Sequence, residues 1–286
     1  MNTSDGQHCF VLVRGAGDIV SAIAVLLFKA GYAIALHHVP APATSRRGMA
    51  FTDAVFEGVA VLEGVAARGV DCAWDLNEML TARKAVLVTT MPFPDTLKAT
   101  NGSVLVDARL HKRNVPKHQP CLAPLTIGLG PNFVAGEAVD LAVETEWGEH
   151  LGEIIRSRTT LPLAGGPPCL GRFGREQFVF AAFACCFEAA AHIGDHVAAS
   201  QTIATIGDIA LSAPLFGVIR GLTHSGIALA VDAKFIEVDP RDDPAAVFGL
   251  GERPRLIAEG LRKALEDAEL CEPPINRPIS PEPRLA

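Results

Sequence analysis

Long uncharged apolar runs are missing from this sequence: no stretch of ~18 such residues occurs, and the start, Met1 to Gln7, is polar with no basic segment leading into an apolar one. The expectation is a chain that neither spans a membrane nor enters a secretory route, and resides in the cytoplasm. Its seven cysteines (Cys9, Cys72, Cys121, Cys169, Cys185, Cys186 and Cys271) contain no CxxC pair and no framework spacing. They read as reduced thiols, most of them packed as small hydrophobes. Lys and Arg are scattered and the formal net charge is −7, so the basic stripe that a phosphate backbone requires is absent and nucleic acid is not an expected partner. GxxxxGK[ST], GxSxG and HExxH are all missing, which removes the sequence support for a Walker loop, a serine elbow or a zincin centre. His192 and His196 flank Gly194 in β-rich text and so do not share a helical face; no metal site is expected there.

What is present begins with a strand, a glycine turn and a helix. The apolar run Cys9 to Val13 leads through Arg14-Gly15-Ala16-Gly17-Asp18 into Ile19 to Ala30, with Gly31 as the helix-ending residue and Tyr32 to Leu36 as a second strand. Backbone amides at such a turn, with the helix dipole behind them, can hold a phosphate. The run departs from GxGxxG, because Val20 stands where a third glycine would, and His37 and His38 occupy the strand end where a ribose-binding acid is usual. Asp18 would repel an anion unless a metal or Arg14 offsets it.

Further strands are predicted at Val59–Leu62, Ala85–Thr90, Ser103–Val106 and Val139–Glu144, with helices at Asp75–Ala82 and Glu149–Arg156, and the alternation implies a parallel sheet. Asp107 and Arg109 follow one strand end, the edge where open α/β sheets bind ligands, with His111, Lys112 and Arg113 just beyond. Arg46-Arg47, in the loop after the second strand, reads either as a pair that neutralises an anion at the same rim or as a solvated charged loop. Gly128-Leu129-Gly130 reads either as a ligand loop or as a plain turn.

Between Leu161 and Gly174 three prolines and four glycines mark a boundary. The organisation expected is a Rossmann-like phosphate- or nucleotide-binding domain over 1–160, a β-rich barrel-sandwich-like module over 170–250, and a C-terminal helix (Pro254–Glu269) with a proline-rich tail over 251–286. In the module, strands are predicted at Phe178–Phe187, Thr202–Ile206, Ile209–Ala213, Gly217–Leu222 and Lys234–Val238, with Gly207-Asp208 as a hairpin turn. Gly194, Val197, Ile203 and Ile206 recur 32 positions later as Gly226, Leu229, Phe235 and Val238, the mark of a duplicated half. The hairpin resembles the one on which biotinyl and lipoyl domains carry a modified lysine, but no lysine lies between Lys117 and Lys234. The module is therefore an unmodified relative of those domains at most.

Several ordered segments together resemble one family. They are Val13-Arg14-Gly15-Ala16-Gly17-Asp18; Arg46-Arg47 with Ala54-Val55-Phe56-Glu57-Gly58; Val106-Asp107-Ala108-Arg109; Ile127-Gly128-Leu129-Gly130-Pro131-Asn132-Phe133; Val143-Glu144-Thr145; Gly171-Arg172-Phe173-Gly174-Arg175; Ser212-Ala213-Pro214-Leu215-Phe216-Gly217; and Val238-Asp239-Pro240-Arg241. Through most of its length the chain resembles the accessory proteins of the selenium-dependent molybdenum hydroxylase system. That pattern has an acid near position 38 and a glycine near position 232, where this chain has His38 and Asp232. The resemblance implies a maturation factor for molybdenum-containing hydroxylases such as xanthine dehydrogenase, acting in cofactor modification or in selenium or sulfur insertion. On that reading a nucleotide or molybdopterin-type phosphate is held by Gly15, Gly17, Gly128 and Gly130. Arg14, Arg109 and Arg175 neutralise it, with Asp18 and Asp107 alongside. A hydroxylase is then the expected partner, and a homo-oligomer is allowed. Two alternatives stay open: an NAD(P)-dependent oxidoreductase with His111 or Lys112 as proton donor, and a non-catalytic module that docks another protein.

Overall fold

The chain alternates β1 (Phe10–Arg14), α1 (Asp18–Lys29), β2 (Ala33–His37), α2 (Ala54–Glu57), β3 (Val59–Leu62), β4 (Val65–Gly69), α3 (Ala73–Ala82), β5 (Val86–Thr89), α4 (Phe93–Thr100), β6 (Val104–Asp107), β7 (Leu125–Leu129), β8 (Leu141–Val143) and β9 (Ile154–Ile155) in a computed structural model. The structure describes residues 9–110, 116–162 and 173–268. The polar start, the run His111–Arg113, most of the Pro/Gly segment, Cys169, Cys271 and the proline-rich tail lie outside the described residues.

These strands form one nine-stranded sheet in the order β3-β4-β5-β2-β1-β6-β7-β8-β9. The seven from β4 to β8 run parallel, and β3 and β9 are antiparallel edges. Central strands of a parallel sheet are covered on both faces, which is why β1, β2, β5 and β6 are continuous apolar runs up to their last residue rather than alternating. One face carries Val11, Val13, Ile34, Leu36, Val104 and Val106 against α1; the other carries Leu12, Ala35, Leu87 and Leu105 with Leu76 and Leu80 of α3.

Three differences from the sequence expectation have local causes. Val59–Leu62 is a strand but belongs to an antiparallel hairpin, because Glu63 (φ 51°) and Gly64 (φ 74°) make a two-residue turn with both central residues left-handed. Glu149–Arg156 is not a helix: Gly148 (φ 138°) and Gly152 (φ 83°) turn the chain back so that β9 pairs with β8. Helix α4 is an element the sequence reading did not assign; its Pro94 sits in the first turn, where a missing N–H costs nothing.

The last helix, α5 (Glu252–Asp267), lies along α1 and adds Ile257, Ala258, Leu261, Ala264 and Leu265 to the core of the first sheet. Gly260 allows this approach: a Cβ there would stand 2.0 Å from the carbonyl oxygen of Gly152. Arg253 ties the start of the helix to the end of β8 by donating twice to the Thr145 carbonyl (2.9 and 2.6 Å). No described helix is long and apolar enough to cross a membrane.

The second module contains β10 (Phe178–Phe180), β11 (Glu188–Ala189), β12 (His196–Val197), β13 (Thr202–Ile206), β14 (Ile209–Ser212), β15 (Gly217–Leu222) and β16 (Lys234–Asp239). They form two antiparallel sheets, β10-β16-β15-β12 and β11-β13-β14, around a core of Phe187, Val197, Ile203, Leu222, Leu229, Phe235 and Val238. The 32-residue repeat is visible here: β13 and β16 hold equivalent places, one in each sheet, and Gly194 (φ 95°) and Gly226 (φ 78°) both turn through left-handed backbone. Asp232, where the resembled family has glycine, also takes a positive φ of 62°, a conformation Asp tolerates better than most residues. Phe178–Phe187, expected as one strand, is extended only over β10.

Candidate anion site at the sheet edge

The glycine turn is wedged between two strand ends. Gly15 (φ 132°) donates its N–H to the His37 carbonyl at the end of β2 (3.1 Å), and a Cβ on Gly15 would meet the Ala108 carbonyl oxygen, just past β6, at 2.8 Å. Gly17 (φ 103°) starts α1 without a side-chain cap. Among the described residues the N–H groups of Ala16 and Gly17 have no partner, so unpaired donors and the positive end of the helix dipole meet at this turn.

Strand register brings the charged residues into one row. Arg14 pairs with His37 of β2 on one side and with Asp107 of β6 on the other, and Asp107 pairs in turn with Gly128 of β7. The Arg14 guanidinium lies 3.6 Å above the Phe93 ring at the start of α4. His37 meets the same ring edge-on at 5.4 Å, and its Nε2 bonds the Met91 carbonyl (3.0 Å). Asp107 is buried, and both its oxygens are engaged. Oδ1 accepts from Nε of Arg109 (2.8 Å) and from the Arg109 N–H (3.3 Å), while Oδ2 accepts from Nη2 of Arg109 and from Nε2 of Gln119 (both 2.6 Å).

The electrostatics follow from that geometry. Burial pushes the Arg14 pKa down to about 10, with the like charge of Arg109 adding and Asp107 opposing. Burial alone would raise the Asp107 carboxyl, but the hydrogen bonds and charge of Arg109, then Gln119 and Arg14, hold it below the usual range. Its bond to Asp107 raises Arg109 against burial. Two guanidinium groups thus face one carboxylate, an excess of one positive charge beside unpaired amides.

Asp18, at the first turn of α1, is paired with a cation other than the Arg14 that the sequence had suggested. Its partner is Arg46, whose Nη1 donates to Oδ2 of Asp18 (2.9 Å). The same guanidinium forks onto Glu237 of β16 through Nε and Nη2 (both 2.9 Å). Arg46 was expected as a free cation at the rim; it is instead a clasp between the glycine turn and the β-rich module. Arg47 is likewise engaged, forking onto Asp53 at 2.6 and 3.2 Å. Glu237 is fully buried and also accepts from Lys234 (3.0 Å). Burial works to raise its carboxyl, but Arg46, by charge and by hydrogen bond, and then Lys234 bring it down to about 2. Beside this clasp the Ser45 carbonyl accepts from the Leu222 N–H (2.7 Å).

The remaining residues named from sequence have other surroundings. Gly128 faces the Phe133 ring, which a Cβ would enter at 2.3 Å, and Gly130 (φ 105°) lies under Leu110. Arg175 is on the β-rich module, its guanidinium 4.3 Å above the Phe180 ring. His192 bonds Asp195 through its N–H, and His196 bonds Asp242. Among the described residues no group of three or more His, Cys, Asp or Glu is placed to hold a metal ion. Among the described residues Cys72, Cys121, Cys185 and Cys186 are free.

Sequence reasoning missed Gln119, Glu237 and the burial of His38. Only the Arg46-Arg47 and Val238-Asp239 motifs lay near a signal, because the partners of the clasp are 191 positions apart. His38 is 2% exposed with neither ring nitrogen bonded among the described residues, and burial lowers its pKa to about 4, with His37 adding.

No family model matches the chain. A curated relative, the uncharacterized protein YqeB of Escherichia coli (strain K12), is 33% identical over 258 residues, which cover 90% of this chain and 47% of the relative. The chain thus spans about half the length of the curated relative it matches. Among solved structures, the apo form of the ectoine utilization protein EutE (DoeB) from Ruegeria pomeroyi aligns over 80% of this chain and 85% of its own at 10% identity, with a TM-score of 0.22. That score carries no argument about fold.

Proposed function

We propose that this chain is an accessory factor in the maturation of molybdenum-containing hydroxylases and holds a phosphate-bearing ligand, a nucleotide or a pterin phosphate, at the C-terminal edge of its parallel sheet. The observation that carries the ligand class is the positive excess at that edge, Arg14 and Arg109 around Asp107, beside the unpaired amides of the glycine turn. Arg46 removes the objection that Asp18 would repel an anion.

Fold-level reasoning supports the same place. The order β5-β2-β1-β6-β7-β8, with the hairpin β3-β4 outside β5, follows the sequence 3-2-1-4-5-6, and we read the sheet as Rossmann-like on that ground. The chain reverses its direction of travel across the sheet between β1 and β6, and ligands of open α/β sheets bind at such a reversal. We read the second module as an unmodified barrel-sandwich of the biotinyl and lipoyl kind, clasped to the first by Arg46. The link to molybdenum hydroxylases rests on the sequence resemblance alone, and cytoplasmic residence goes with it.

The test is genetic and biochemical together. Deleting the gene from a host that makes a molybdenum hydroxylase should lower hydroxylase activity while leaving the amount of its polypeptide unchanged. The wild-type chain should restore activity, and Arg14→Leu should not. Unchanged hydroxylase activity on deletion would contradict the proposal.

A further inference from the structure

We infer that Gln119 is a specificity-determining residue that accepts a hydrogen bond from a hydroxyl group of a phosphorylated sugar, so that the ligand class is a sugar phosphate or a nucleotide with its ribose diol intact. The inference rests on the phosphate reading above and narrows it.

Gln119 is 3% exposed, and its Nε2 donates to Oδ2 of Asp107 at 2.6 Å. Asp107 is held ionised by Arg109, Gln119 and Arg14, so its oxygens can only accept. The amide must therefore turn its NH2 group toward Asp107; the flipped amide would set oxygen against carboxylate oxygen at the same short distance. That fixes Oε1 on the far side of the amide. Oε1 is buried and has no hydrogen-bond partner among the described residues. A buried acceptor left without a donor carries its full desolvation cost, so such an atom beside this charged row points to a donor on the ligand.

The rest of the row defines what that donor is attached to. Arg109 and Gln119 already occupy both oxygens of Asp107, so the neutral acceptor this cluster offers a ligand is Oε1 of Gln119. Nε of Arg14, which pairs with Asp107 across β1 and β6, is also buried and unpaired. A ligand that satisfies both presents an anion to Arg14 and an O–H donor within a side chain's length of it. A ribose or other sugar alcohol beside its own phosphate has that arrangement. A base amide farther from the phosphate is an outcome the test separates.

The experiment titrates the full chain calorimetrically with pyrophosphate, with GDP and CDP, and with the 2′,3′-dideoxy forms of both nucleotides, for wild type and for Gln119→Leu. Wild type should bind at least one ribonucleotide about 10-fold or more tighter than its dideoxy form, since a site built around a ligand hydroxyl discriminates strongly against its loss. Gln119→Leu should bring the two forms within about 3-fold of each other while still binding pyrophosphate, which shows that the variant site is folded. Equal wild-type affinity for the two forms, or a preference that survives in Gln119→Leu, overturns the inference. Binding of pyrophosphate with no nucleotide bound overturns it while leaving the phosphate reading intact; binding of none of these compounds overturns both.

Discussion

Replacing Arg46 with methionine keeps the side-chain bulk and removes the guanidinium that holds the glycine turn to the second module. Glu237, fully buried, would keep among the described residues Lys234 at 3.0 Å and the Nε of Arg220 at 3.7 Å as cationic neighbours. In the folded protein its carboxyl sits at about 2 against an ordinary 4.5, an interaction of roughly 3 kcal/mol between ionised Glu237 and its surroundings. Breaking one partner from a buried pair costs about 3–5 kcal/mol. Because Lys234 remains and Arg46 is partly solvated, about 2–3 kcal/mol is expected here. At roughly 2–4 °C per kcal/mol for a chain of this size, the melting temperature should fall by about 4–12 °C. Calorimetry and urea unfolding of wild type, Arg46→Met, Glu237→Gln and the double variant measure the loss and the coupling, expected to exceed about 1 kcal/mol. The sign with pH is fixed: a carboxyl whose folded pKa is depressed contributes stability above its unfolded pKa of 4.5 and loses it as pH falls toward 2. The difference between wild type and Arg46→Met should therefore shrink as pH falls below about 4.5. A loss under about 1 kcal/mol at neutral pH, or additive single effects, would refute the clasp.

His38 sets a second pH window. Its folded pKa is depressed from 6.5 to about 4, so the unfolded chain takes up the proton first; the stability held by the neutral imidazole is complete above pH 6.5 and is lost as pH falls through 4. Urea unfolding against pH should show about 3 kcal/mol of this loss, absent in His38→Leu. Gly260→Ala should destabilise by about 2 kcal/mol or more, since its Cβ would stand 2.0 Å from the Gly152 carbonyl oxygen and force α5 away from α1. Gly207→Ala, at the tip of the β13-β14 hairpin with φ 55° and nothing within 4 Å, should cost only the left-handed backbone, about 1 kcal/mol by thermal melts.

The first sheet was legible in the sequence where apolar runs ended in glycine: the glycine turn, α1 and β2, and the strand before Asp107, fall within a residue or so of where pattern put them. Arg14, Gly15, Gly17, Asp18, Asp107 and Arg109 come together because all stand at C-terminal ends of neighbouring parallel strands, a rule that needs only strand order. What stayed hidden depends on contacts distant in the chain. Arg46 read as a free rim cation because Glu237, in another module, is the partner that engages it. Gln119 carried no motif, and its meaning arises only when Asp107 fixes its amide. The small residue at 128 read as a ligand loop or a plain turn; the Phe133 ring that fills the space five residues on could not be oriented from sequence.

The central claim is an anion held between Arg14, Arg109 and the glycine turn, and the most direct measurement is calorimetric titration of pyrophosphate into wild type and Arg14→Leu at low and at high salt. The account predicts saturable binding to wild type that weakens with salt and drops by about 10-fold or more in Arg14→Leu, as the loss of a charge-assisted contact requires, while the melting temperature of the free variant barely changes. Absence of binding to wild type, or equal affinity in the variant, would contradict it.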